Sequence, residues 1–276
     1  MRSKQMNILV SVSGGRSSAM MARHIQTDSR YKDANKLFVF ANTGMERPET
    51  ITFLKDMERH WGIDLVKIEG VYSEEMGVGV KYRIVDFGNM DMNADVFSSC
   101  IASVNKGIYH GLPHSQAPFC SGRMKKEPIE KFSNDVFGKN NYITAIGFRK
   151  EDMPKRISWP EIKHDEKRIY PLLTDFAEPV GLRALGQWWD KQPFKLGISS
   201  RLGNCELCWK KSDKNLVETI QYGTRFVNWW RNMEAQYEGT AFRGNKSIDD
   251  FVKMAAMPQT LEMNFEDIGE ECSCGI

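Results

Sequence analysis

Asn7-Ile8-Leu9-Val10-Ser11-Val12-Ser13-Gly14-Gly15-Arg16-Ser17-Ser18-Ala19-Met20 reads as a buried strand, a glycine-serine turn and the start of a helix. Two adjacent glycines let a backbone approach an anion closely. Ser13, Ser17 and Ser18 bring hydroxyls to the same turn, and a helix start adds unpaired N–H groups and the positive end of its dipole. The stretch therefore predicts an α/β fold and a ligand carrying phosphate or sulfate. It has neither the Gly-x4-Gly-Lys-[Ser/Thr] spacing of a Walker loop nor the Gly-x-Gly-x-x-Gly of dinucleotide folds. An ordinary turn of small residues would look much the same, so corroboration has to come from the other strand ends.

Working outward, Lys36-Leu37-Phe38-Val39-Phe40-Ala41 reads as a second buried strand, ending at Asn42-Thr43-Gly44. A helix follows with Pro48 near its first position and Ile51, Leu54, Met57 and Trp61 on one face, and Leu65 to Ile68 reads as a third strand. Strand, helix, strand, helix, strand is the pattern of a parallel sheet. Residues 70–119 lack a clean period and are expected to form a long excursion over the sheet's carboxyl edge, with a helix near 100–109. Periodicity returns with a helix over 124–137, a strand from Tyr142 to Ile146 and the turn Gly147-Phe148-Arg149-Lys150. A strand over 168–172, a helix containing Trp188 and Trp189, and a helix over 214–231 complete the expected body. Phe226, Trp229 and Trp230 read as core packing, and the chain beyond Gly239 as polar and broken.

In a doubly wound sheet, ligands sit off the carboxyl ends of the strands, so the turns at 13–18, 42–44 and 147–150 should converge. Arg149 and Lys150, with Arg123, Lys125 and Lys126 on the preceding loop and helix, offer cations for an anion. The charge must act locally, because 38 basic and 36 acidic residues leave the 276-residue chain at only +2. No apolar run approaches the roughly 18 residues of a membrane span, which points to a cytoplasmic protein without a membrane partner. Six cysteines, at 100, 120, 205, 208, 272 and 274, are too few and too grouped for a secreted disulfide scaffold. In a reducing compartment such grouping suits metal ligands or redox-active thiols. His110 and His114 flank Gly111 and Pro113 and read as part of a surface loop.

These residues together resemble the phosphoadenylyl-sulfate (PAPS) reductase family of the PP-loop pyrophosphatase superfamily. The likeness rests on Ser13-Gly14-Gly15-Arg16-Ser17-Ser18, on Asn42-Thr43-Gly44 with Pro48-Glu49-Thr50 after it, and on Cys120 leading into Lys126-Glu127-Pro128-Ile129. Gly147-Phe148-Arg149-Lys150, Tyr170-Pro171-Leu172 and the Cys205-x-x-Cys208 pair follow in the family's order. The resemblance covers roughly residues 7–212. It implies a Rossmann-like, mostly parallel sheet of the adenine nucleotide alpha hydrolase type over 1–212, with a helical, cysteine-containing extension over 213–276. By the same likeness Ser13, Gly14, Gly15, Arg16, Ser17 and Ser18 would hold the phosphate or sulfate. Thr43 and Gly44 would line the adenosine side, and Arg149, Lys150 and Arg123 would clamp the anion.

Family members acting on adenylyl sulfate carry a Cys-Cys and a Cys-x-x-Cys pair around a four-iron cluster, whereas this chain has Phe119-Cys120 in place of the first pair. Cys100 could fill the vacancy, giving Cys100, Cys120, Cys205 and Cys208 as a four-thiolate site for a [4Fe-4S] cluster or for structural zinc. Reductases of the family end in a tail cysteine that attacks the substrate's sulfur. Here Glu271-Cys272-Ser273-Cys274-Gly275-Ile276 offers Cys272 or Cys274 for that role. The implied activity is reduction of PAPS or adenylyl sulfate (APS) to sulfite, with a thioredoxin-like reductant. PP-loop relatives that cleave ATP with Mg²⁺ to adenylate a site on tRNA, DNA or another acceptor for sulfur transfer give an alternative. A nucleotide-binding protein without turnover is a third.

Overall fold

The computed structural model describes residues 5–257 except 74, 76 and 107–109. Six strands, β1 (Asn7–Ser11), β2 (Asn35–Asn42), β3 (Leu65–Val71), β4 (Lys81–Val85), β5 (Ile143–Ala145) and β6 (Arg168–Ile169), form one sheet in the order β4-β3-β2-β1-β5-β6. Only β3 and β4 pair antiparallel; all other neighbours are parallel. The chain is thus α/β with a mostly parallel sheet, as the alternating pattern predicted.

Burial on both faces explains the continuous apolar strands. Side chains alternate across a strand, so Ile8 and Val10 of β1 face one layer and Leu9 the other. The first layer contains α1 (Arg16–Thr27) and α2 (Pro48–Trp61), whose Met21, Ile25, Phe53, Leu54 and Met57 pack with Ile8, Val10 and Phe40. Opposite, Leu9, Val39, Ala41 and Ile68 meet Ile129 and Phe132 of α5 (Glu127–Phe137). The chain runs from β1 outward to β4, then returns to place β5 on the other side of β1. That reversal puts the switch point of the sheet between β1 and β5, and open α/β sheets bind ligands off the carboxyl ends of the strands at such a point.

The excursion after β3 is more ordered than expected. It contains the edge strand β4 and α3 (Asp95–Val104), which starts earlier than the sequence suggested, and then α4 (Phe119–Ser121), which runs through a π-helical turn at Gly122–Lys126 into α5. After β5 the chain forms α6 (Trp159–His164), β6, α7 (Pro171–Thr174) and α8 (Leu182–Trp189). The strand expected over 168–172 stops at Ile169, because Pro171 cannot donate to a ladder and is preorganised for a first helical turn. The single helix expected over 214–231 is two, α9 (Asp213–Tyr222) and α10 (Val227–Gln236), broken at Gly223. A further helix, α11 (Ile248–Ala256), occupies the region read as broken and starts in a capping box of Ser247 and Asp250. Phe226 and Trp230 are buried, as read. The last three helices share a second apolar core with Phe97, Cys100, Cys205 and Cys208.

Candidate functional site

The glycine-serine turn lies where β1 passes into α1. Gly14 has a φ of 77°, and a Cβ there would sit 2.5 Å from Thr50 Cγ2 at the start of α2, so both conformation and space require glycine. Ser18 Oγ accepts from the Ser13 N–H at 3.0 Å and donates to the Gly15 carbonyl at 3.0 Å, while its contact with Ser13 Oγ is also 3.0 Å. The loop is therefore closed by its own hydroxyls. The N-cap of α1 is Gly15, which has no side chain to bond the first-turn N–H groups. Arg16 turns toward the segment before the cysteine pair, its Nε donating to Ser200 Oγ at 2.8 Å.

The turn after β5 meets this loop. A Cβ on Gly147 would lie 3.2 Å from Ser18 Cα and 3.3 Å from the Ser18 N, a backbone approach that only glycine permits without displacement. Arg149 is buried two residues later, its N–H bonded to Asp152 Oδ2 at 2.8 Å and its Nε 3.7 Å from the same oxygen. Lys150 is exposed at the mouth of this turn.

The segment after β2, the neighbour of β1, reaches the cysteines. Thr43 is buried; its N–H and hydroxyl donate to the two carboxylate oxygens of Glu46 at 3.0 and 2.8 Å, and the hydroxyl lies 3.2 Å from Cys205 Sγ. The Gly44 N–H donates to Asn42 Oδ1 at 3.2 Å, and its carbonyl accepts from the Ala94 N–H at 3.1 Å. Glu46 and Cys205 form an antiparallel bridge, and the Glu206 N–H donates to the Met45 carbonyl at 2.9 Å. The Cys-x-x-Cys turn is thus zipped to the segment that leaves β2. Burial raises the Glu46 carboxyl above its ordinary range, with the Lys125 charge and the Thr43 bonds opposing.

Charged side chains hold the cysteine turn in place: Glu206, Lys211 and Arg47 are buried, and Arg225 is exposed at the edge of the group. Glu206 accepts from Arg225 Nε at 3.1 Å and Nη2 at 3.0 Å, and Arg225 also donates to the Glu46 carbonyl at 2.9 Å. Lys211 Nζ donates to the Glu206 and Leu202 carbonyls at 3.0 and 3.2 Å. Arg47 reaches the Leu202 and Gly223 carbonyls at 3.2 and 2.8 Å. Such charges are tolerated inside a protein only when paired and bonded. Their one visible sequence signal is the density of charged residues beside Cys208.

Cys120, Cys205 and Cys208 line one small cavity of about 20 Å³, together with Lys125, Trp209 and Trp230. Both indole Nε1–H groups are buried and have no hydrogen-bond partner among the described residues. Cys100 belongs to the same apolar core, and burial pushes its thiol up to about 12, with the Arg123 charge opposing and Cys120 reinforcing the shift. Arg123 thus lies close enough to Cys100 for its charge to act on that thiol. Among the described residues, no group of three or more His, Cys, Asp or Glu is placed to hold a single metal ion. Cys272 and Cys274 lie outside the described residues. None of the described helices is long and apolar enough to cross a membrane.

No family model matches the chain. It is 33% identical over 258 residues to the uncharacterized nin region protein ORF290 of Escherichia phage lambda, a match covering 89% of this chain and 84% of the phage protein. An uncharacterized protein of Methanocaldococcus jannaschii is 24% identical over 143 residues, 52% of this chain and 23% of that protein. The chain belongs to the family of the phage protein.

Proposed function

We propose that this member of the phage ORF290 family is a PP-loop enzyme of sulfur chemistry, with an adenine nucleotide alpha hydrolase type of fold, that binds an adenine sulfonucleotide at the switch point between β1 and β5 and reduces it to sulfite. One observation carries the reading: Thr43, which follows the strand next to the one that leads into the glycine-serine turn, touches Cys205 with its hydroxyl, so the thiols lie one strand away from the residues that would cradle the anion. Ser13, Gly14, Gly15, Ser17 and Ser18, with the first-turn amides of α1, would hold the sulfate or phosphate, and Arg149 would offset its charge.

Cys100, Cys120, Cys205 and Cys208 would hold a four-iron cluster. The donor chemistry fits: four soft thiols, a buried Lys125 to offset their charge, and two buried indole N–H groups in need of acceptors, which thiolate or sulfide sulfur provides. The cavity itself has room for about one water or ion, so a cluster would have to spread its walls. Such a cluster supplies a redox-active centre when bound.

In the reaction, the thiolate of Cys272 or Cys274 attacks the sulfonyl sulfur. The sulfur–oxygen bond to the nucleotide breaks, the nucleotide leaves with the electron pair, and the tail carries an S-sulfonate. A dithiol reductant of the thioredoxin class then attacks the tail sulfur, releasing sulfite and forming a mixed disulfide that its second thiol resolves.

The test is product analysis of anaerobically purified protein with PAPS, with APS, and with ATP plus Mg²⁺, each with a dithiol. Sulfite from a sulfonucleotide, lost in the Cys272→Ala, Cys274→Ala double variant, is the expected outcome. Pyrophosphate from ATP without sulfite would replace the reading with adenylation for sulfur transfer, and binding without turnover would reduce it to a nucleotide-binding protein.

A further inference from the structure

We propose that a cationic groove on the outer side of the cysteine cavity binds the phosphodiester backbone of a single-stranded nucleic acid. The groove has a volume of about 490 Å³ and is lined by His114, Trp209, Lys210, Asp213, Arg243 and Lys246. It is separate from the proposed nucleotide site, and the inference does not depend on the sulfur chemistry proposed above.

The groove is built rather than incidental. Arg243 and Lys246 flank a two-residue hairpin turn and exchange both backbone N–H···O bonds at 3.0 Å, with Gly244 at a φ of 62°. Directly opposed residues in such a pair project to the same face. Both side chains accordingly reach the same carboxylate: Arg243 Nη1 lies 3.0 Å from Asp213 Oδ1, and Lys246 Nζ bonds Asp213 Oδ2. From the other wall Lys210 Nζ donates to Ser121 Oγ at 2.7 Å and has no carboxylate partner among the described residues. Three cations face one carboxylate, which leaves an excess of two positive charges. The whole chain's formal charge is only +2, so the excess here is a concentration of charge and not a sample of a basic surface.

Trp209 identifies the kind of anion. Its half-buried indole is a wall of both this groove and the cysteine cavity, and Lys210 Nζ lies 5.5 Å from its ring centroid. Cations beside an aromatic ring, with His114 and Asn245 as further polar groups on the lining, suit a sugar-phosphate strand with its bases better than an acidic peptide. A strand lying there would pass within one side chain of the thiols.

The experiment is fluorescence anisotropy of a labelled oligothymidylate titrated with the full-length, anaerobically purified protein at several salt concentrations. Wild type should bind with an affinity falling as salt rises, with a logarithmic slope of about −1.4 for two neutralised phosphates, matching the excess of two charges. Lys210→Glu, whose partner is only a hydroxyl, should weaken binding by about tenfold or more. Lys139→Glu, an equal charge change at the amino edge of the sheet, should not. Equal loss in both variants, no loss in Lys210→Glu, or no binding at low salt would each overturn the proposal. Displacement by inorganic phosphate as effective as by unlabelled oligonucleotide, at equal phosphate concentration, would reduce the groove to a lone-phosphate site and also overturn it. Adenine-nucleotide binding measured on the same variants should be unchanged, so a failure here is distinguishable from a failure at the nucleotide site.

Discussion

Thr43 Oγ1 lies 3.2 Å from Cys205 Sγ while donating at 2.8 Å to Glu46 Oε1, so one hydroxyl joins the end of a central strand to the cysteine turn. Thr43→Val keeps the shape of the side chain and removes that link. Glu46, almost fully buried, then loses one of its donors. The expected cost is about 1–3 kcal/mol of stability, read from denaturant unfolding. Bound metal should also be released faster to a chelator, whereas Thr43→Ser should behave as wild type on both counts. A valine variant as stable and as retentive as wild type would show that the two sites are merely adjacent.

Gly147 sets how closely the turn after β5 approaches the glycine-serine turn. A Cβ there is held 3.2–3.3 Å from backbone atoms of Ser17 and Ser18, and a helix start cannot yield as the end of a side chain can. Gly147→Ala should push the β5 turn off the cradle and weaken adenine-nucleotide binding by roughly tenfold, about 1.4 kcal/mol. Calorimetric titration measures it, with circular dichroism to show an intact fold. Unchanged affinity would place the ligand elsewhere.

The sheet and the cradle were legible in the sequence because both are local. Apolar runs such as Ile8 to Val10 are buried on two faces, and the Gly-Gly turn announces itself by composition. The convergence of Gly147 on Ser18 followed from the doubly wound grammar. What holds the cysteine turn was not legible: Arg47, Glu206 and Arg225 stand far apart in sequence on turns and loops, and a charged loop residue gives no sign of the distant partner it will bond. The helix break at Gly223 was missed for a related reason. The apolar period of 214–231 continues across it, and only the long-range bond of Arg225 to Glu206 shows why the chain turns there. The edge strand β4 is short and only Val85 of its five residues is buried, while Ile84 faces solvent, so its Lys-Tyr-Arg-Ile-Val alternation is not that of a core strand.

Trp230 offers a test of what fills the cysteine cavity. Its indole N–H is buried without a partner among the described residues, a condition that costs about 1–3 kcal/mol unless a ligand accepts the bond. Trp230→Phe should therefore be close to neutral for the metal-free protein, the lost donor offsetting the smaller ring. In protein carrying iron and acid-labile sulfide the same change should lower the reduction potential, because N–H bonds to cluster sulfur stabilise the more negative reduced state. Chemical analysis that finds zinc and no sulfide would assign the site to a structural ion instead.

Asp175 anchors the far end of the helix that carries the cradle. It accepts from Tyr31 at 2.6 Å and lies 3.0 Å from His24 Nε2 on α1. Burial alone would raise its carboxyl, but the bonds from His24, Tyr31 and Thr174 and the Arg30 charge outweigh it and hold the group below the ordinary value of 3.8. A carboxylate depressed in the folded state contributes stability that is present above the unfolded value and is lost as pH falls through the folded one. Asp175→Asn should thus be less stable than wild type by about 1.5–3 kcal/mol near neutrality. The gap should close as the pH drops below about 4, where the unfolded carboxyl is already protonated. Parallel unfolding curves across that range would check the sign, and a gap that persists undiminished in acid would mean that the asparagine disrupts packing rather than a charge-assisted tie. Nucleotide affinity at neutral pH should stay within about twofold, because the loss falls at the last turn of α1 and the cradle is closed by Ser13 and Ser18 at the first.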